Sequence, residues 1–99
     1  DELCNFCACK DTYEHFFIEC RKIKRVWEII DNTCFLKLKR KIEFKHDIIF
    51  GYKDEDKTVE RKINLMLMVG KHVISKYKCG LYSYNVECML EHEMRLRNL

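Results

Sequence analysis

The chain has 99 residues, 47% of them hydrophobic, which is enough for one small core and not for two. Nineteen Lys and Arg stand against 16 Asp and Glu, for a net charge of +3, with seven Cys, four His, three Gly and no Pro. So little turn chemistry argues for helix and against sandwiches and barrels, and the length excludes a polymerase, kinase or dehydrogenase domain.

An odd cysteine count cannot close completely into intramolecular disulfides, and no basic segment followed by an apolar one opens the sequence. The longest apolar run, 63–69, contains Asn64 and is bracketed by Arg61, Lys62 and Lys71, whereas a membrane span needs about 20 apolar residues. The expected setting is intracellular, aqueous and reducing, where clustered cysteines more often mean metal than disulfide. Charge is uneven: residues 1–20 carry a net −4, 21–45 a net +6 and 46–99 a net +1.

The cysteine-rich segment 4–10 reads as a tight turn. Asp11 and Thr12 are placed to cap a short helix through 13–19, because their side-chain oxygens satisfy free N–H groups of a first turn. Ile23, Val26, Trp27 and Ile30 share one face of a second helix, expected to stop near Asp31 and Asn32. Residues 35–50 are ambiguous: alternation at 36–38 and 42–44 suggests extended chain, and Ile48, Ile49 and Phe50 are apolar before a turn and hinge at 51–56. The acidic Asp54, Glu55 and Asp56 suit the positive start of a long helix over about 58–78.

On that helix Val59, Ile63, Met66, Gly70, Val73, Ile74 and Tyr77 form the main stripe, and Leu65, Met68, Val69 and His72 a second apolar side. Gly80 should end it. Ser83 or Asn85 can cap a last helix patterned by Val86, Met89, Leu90 and Met94. The four methionines, Met66, Met68, Met89 and Met94, read as gap-filling core, and Cys34, Cys79 and Cys88 as small buried apolar residues. The predicted architecture is mainly α, a small helical bundle with a metal-stapled N-terminus. It forms one domain over 1–99, with a zinc module at about 1–34 and a helical tail at about 47–99.

The chemistry lies in Cys4-x2-Cys7, then seven residues, His15, then four residues, Cys20. Three thiolates and an imidazole are a tetrahedral donor set for Zn2+. Cys9 could replace either sulfur of the Cys4/Cys7 knuckle. Four protein ligands close the site to water, which favours a structural over a catalytic ion. A redox dithiol and accidental clustering are the competing readings of these cysteines. His46, His72 and His92 lack partners at ligand spacing, and no nucleophile–base pair or phosphate-cradling glycine loop occurs, so no enzymatic activity is expected.

Cys4-x2-Cys7 followed by Asp11-Thr-Tyr-Glu-His15-Phe-Phe-Ile-Glu-Cys20 and Val26-Trp27 resembles the zinc-binding domain of reverse transcriptases. That domain lies downstream of the polymerase in non-LTR retrotransposon polyproteins. The resemblance is specific over 4–27 and looser over 47–96, and Asp11 stands where Glu is more usual. It implies Cys4, Cys7, His15 and Cys20 as zinc ligands and a non-catalytic module that handles template RNA or target DNA, with a reverse transcriptase domain as a further partner and the nucleus as location. The phosphate-facing residues would then be Arg21, Lys22, Lys24, Arg25, Lys37, Lys39, Arg40 and Lys41, with Trp27 in the core. The alternative is a zinc-stabilised module that docks on a protein through the exposed part of the 58–78 helix. Neither a membrane nor a small-molecule substrate is expected.

Overall fold

In the computed structural model, which describes residues 4, 10, 12–80 and 85–99, the described residues are helical and contain no strand. Four α-helices, α1 (Lys24–Thr33), α2 (Phe44–Phe50), α3 (Lys57–Lys78) and α4 (Val86–Leu96), pack as a small bundle. Asp11 and Ser83, both expected as caps, and the knuckle residues Cys7 and Cys9 lie outside the described residues.

α3 is the spine. Asp56 caps it, its carboxylate accepting the N–H groups of Thr58 and Val59 at 2.9 and 3.3 Å. Ile63, Met66, Leu67, Val69, Gly70, Val73 and Ile74 are buried along its length. It ends at Gly80, which takes φ +73, a left-handed conformation that costs glycine nothing. α4 follows the expected pattern: Asn85 accepts the Cys88 N–H at 2.8 Å, and Val86, Met89, Leu90 and Met94 are all buried.

α1 and α3 cross at a notch. A Cβ added to Gly70 would stand 2.7 Å from Trp27 Cζ3 and 2.8 Å from Ile30 Cδ1, closer than carbon atoms can approach. Glycine therefore lets the indole lie against the α3 backbone. Trp27 is only 3% exposed and Gly70 is buried, so the apolar stripe of the second helix meets the spine at its middle.

Four expectations are corrected. The second helix does not stop at Asp31 and Asn32: α1 continues through a π-helical turn, Cys34–Leu38, until Lys39 adopts φ +57. Buried Cys34 extends the 23/26/27/30 face by one more turn, which outweighs the weak helix propensity of the Asp-Asn pair. Within the ambiguous stretch 35–50, where alternation suggested extended chain at 36–38 and 42–44, residues 34–38 and 44–50 are helical. The Asp47 carboxylate accepts the Glu43 N–H at 2.8 Å, satisfying a free donor where α2 begins.

The second apolar side of α3 is only partly covered, because Met68 is 55% exposed and His72 is exposed, while buried Leu67 lies outside both predicted stripes. Cys79 and Cys88 are exposed, leaving Cys34 as the one buried member of that trio. Burial, with the nearby Asp31 carboxylate, pushes the Cys34 thiol up to about 11, so it stays protonated and inert.

The loop between α2 and α3 is pinned. Asn64 accepts the Tyr52 N–H and donates to the Tyr52 carbonyl, both at 2.9 Å, and donates to the Glu60 carbonyl at 3.0 Å. Arg40 Nε donates to Asp54 Oδ2 at 2.6 Å and Tyr52 OH donates to the same oxygen at 2.5 Å. Gly51 enters the loop at φ +91.

Candidate metal centre

Thr12 starts the first helical turns. Its hydroxyl accepts the His15 N–H at 3.1 Å and its carbonyl accepts the Phe16 N–H at 2.8 Å. The chain then widens into a π-helical turn, His15–Glu19, closed by Cys20 N–H donating to the His15 carbonyl at 3.0 Å. The widening matters for the side chains. In an α-helix, residues five apart point about 140° away from each other. The π turn instead returns position 20 close above position 15, and Cys20 leaves the helix with ψ 126.

These turns bring Cys4, His15 and Cys20 together. A ring nitrogen of His15 and the two sulfurs all lie within 4.8 Å of one another, and all three residues are buried. The Cys4 and Cys20 sulfurs are 3.8 Å apart, far beyond the ~2.05 Å of a disulfide. His15 is 8% exposed, yet its Nε2 has no hydrogen-bond partner. A buried polar atom left so costs about 1–3 kcal/mol, which an ion accepting its lone pair would remove. The group could hold a metal ion.

Its surroundings tie it to the rest of the fold. Phe16 and Phe17 pack edge to face at 4.7 Å, and Tyr13 lies 4.9 Å from Phe17. The Phe17 carbonyl accepts Trp27 Nε1–H at 2.6 Å, linking the π turn to the core indole. Lys45 on α2 bridges Glu14 at 2.8 Å and Glu19 at 3.6 Å. From the far end of α3, the Lys78 ammonium reaches 3.9 Å from Cys4 Sγ and 4.6 Å from the centre of the Phe16 ring. No local sequence signal connects residues 4 and 78.

The basic residues, contiguous in two runs of sequence, become two separate patches. Arg21, Lys22, Lys24 and Arg25 sit where α1 begins. Lys37, in the last turn of its continuation, and Lys39, Arg40 and Lys41 just after it sit roughly 20 Å away along the helical rise. Several are engaged. Arg25 pairs with Glu28 at 2.8 Å and approaches Glu87 at 3.8 Å, and Arg40 is held by Asp54. Lys41 lies 3.9 Å from Asp31, and Lys39 Nζ donates to the Leu36 carbonyl at 3.3 Å.

His72, Cys88 and His92 line a cleft of about 290 Å³ between α3 and α4, but their donor atoms are not gathered as those of Cys4, His15 and Cys20 are. His46 Nδ1 pairs with Asp47 at 3.0 Å. No helix among the described residues is long and apolar enough to cross a membrane. No protein-family model, no curated protein and no solved structure matches the chain.

Proposed function

We propose that the chain is a non-catalytic zinc module that binds RNA or DNA, similar in role to the zinc-binding domain of reverse transcriptases. The observation that carries the zinc reading is the convergence of Cys4, His15 and Cys20 around an unpartnered buried imidazole nitrogen. Two sulfurs at ~2.3 Å from a tetrahedral ion stand ~3.8 Å apart, the separation found between Cys4 and Cys20. Cys7, by its spacing from Cys4, would supply the fourth donor. Three thiolates and a neutral imidazole around a dication leave one negative charge, and the Lys78 ammonium is positioned to balance it.

Such an ion would fix the π turn against α1 and α3, so its binding free energy would be folding free energy. Nucleic-acid binding rests on the resemblance and on the basic patches at each end of the α1 segment. It is tested by fluorescence anisotropy of the metal-loaded chain with single-stranded RNA and duplex DNA across a salt series. Binding whose logarithm falls steeply with log salt supports phosphate contact. Failure to bind at low salt refutes it and leaves the zinc fold standing.

One observation favours the protein-docking reading. Phe50, 72% exposed, and Met68, 55% exposed, line one groove between α2 and α3. Replacing both with Ser would abolish a partner contact made there while leaving nucleic-acid affinity unchanged.

A further inference from the structure

We infer that the groove between α1 and α2 seats an unpaired base of a single-stranded nucleic acid, an inference that rests on the nucleic-acid reading above. The groove measures about 560 Å³, and Ile18, Trp27 and Phe44 form its apolar lining. The two rings stand 6.5 Å apart and are tilted by 47°, and Phe44 is only half-buried. Arg21 and Lys24 complete the lining and are exposed.

Charge decides what this surface can accept. Two carboxylates, Glu19 and Glu28, also border the groove and would repel phosphate. Glu28 takes Arg25 at 2.8 Å, and Glu19, at 3.6 Å, shares Lys45 with the nearer Glu14 at 2.8 Å. Arg21 and Lys24 have no ion-pair partner among the described residues, so the groove keeps two uncommitted positive charges beside the half-buried Phe44 ring, with the edge of the buried Trp27 behind it. That combination is the requirement for binding single strands: cations for the phosphates and a π-face for a base. A duplex keeps its base faces stacked internally and could use only the cations.

The test compares wild type, Phe44→Leu and Arg21→Gln/Lys24→Gln, using a labelled oligouridylate and a duplex of equal length at one low salt concentration. Leucine keeps an apolar side chain and removes the ring. Phe44→Leu should weaken single-strand binding roughly tenfold and leave duplex affinity within about twofold. Arg21→Gln/Lys24→Gln should weaken single-strand binding and reduce its salt slope.

Trp27 is the only tryptophan in the chain, so a base entering the groove should quench its emission in the wild type, a readout that does not depend on any variant folding. Equal losses for single strand and duplex, or an unchanged single-strand affinity in Phe44→Leu, would overturn the inference. So would single-strand binding that leaves Trp27 emission unaltered. If the wild type binds neither probe, the nucleic-acid reading itself fails and this inference falls with it, an outcome distinguishable from the others.

Discussion

Two polar clusters border the same core, and the chain completes one of them by itself. Around Asp54, the carboxylate receives Arg40, the Tyr52 hydroxyl and the Asp56 N–H, while Asn64 satisfies both backbone groups of Tyr52. Around Cys4, His15 and Cys20, three buried donors face one another and an imidazole nitrogen is left over. The first cluster is a latch that needs nothing from solution. The second could hold a metal ion. An unsatisfied buried atom alone does not mark a site, since Asp31 Oδ1 is unpartnered too; what distinguishes the second cluster is that two sulfurs stand beside the leftover nitrogen.

If the second cluster holds zinc as proposed, the largest effect should come from emptying it. A structural zinc contributes about 10–16 kcal/mol of apparent binding energy in small domains, as much as or more than the ~5–15 kcal/mol total stability of a typical protein. Chelation or His15→Ala should therefore remove one zinc per chain, measured by elemental analysis, and lose the helical signal of the N-terminal turns. An undiminished circular dichroism spectrum after metal removal would break the comparison. It would also revive the redox-dithiol reading, which predicts survival in chelator.

Asn64→Ala attacks the self-sufficient cluster. It strands the Tyr52 N–H and carbonyl, and should cost about 1–3 kcal/mol in denaturant unfolding without changing metal content. Lys78→Met sharpens the boundary between the two. It removes the charge beside Cys4 and should weaken zinc affinity about tenfold in a competition titration, with the helical content intact. An unchanged affinity would show the ammonium to be incidental.

The smallest effect is in acid. Hydrogen bonds from Arg40, then Tyr52, then the Asp56 N–H hold the Asp54 carboxyl well below its usual range. Because the folded value is depressed, the stabilisation is present in full above about pH 4, where the unfolded carboxyl is ionised. It is lost as pH falls from there through the folded value. Asp54→Asn should flatten the fall of melting temperature below about pH 4 and lower it modestly at neutral pH. An acid limb identical to that of the wild type would mean that other carboxylates set it.

Much of the helical frame was legible in the sequence, because long periodic segments report their own burial. The main α3 stripe, the α4 stripe, the acidic start of α3, the Asn85 cap and the Gly80 stop all depend on contacts within a few residues. Short segments were not legible. Residues 35–50 were ambiguous, with the alternation of Ile42 and Phe44 pointing to extended chain, whereas Phe44 opens a helix whose start is satisfied by the Asp47 carboxylate. At Cys34 the continuation of α1 depends on burial beside Met66, 32 residues away, with the two sulfurs 3.9 Å apart.

Of the site, the spacing of Cys4, His15 and Cys20 could be read, but not the π turn that aligns His15 with Cys20. Lys78 escaped notice for a simpler reason: proximity to Cys4 arises only once α3 is docked. Exposure of Met68, Cys79 and Cys88 was equally unreadable, since helical spacing cannot tell which flank of a central helix lacks a neighbour.

The glycine notch on α3 has one more consequence. With the indole of Trp27 seated against Gly70, α3 cannot slide along α1, because every adjacent position on its buried face carries a side chain that would strike the ring. The crossing acts as a key in a keyway and indexes the axial position of the whole helix. Eight residues further on, a rise of about 12 Å, that indexing delivers Lys78 to Cys4. A residue with no side chain therefore sets the address at which the turn carrying His15 and Cys20 docks, although it touches none of the donor atoms.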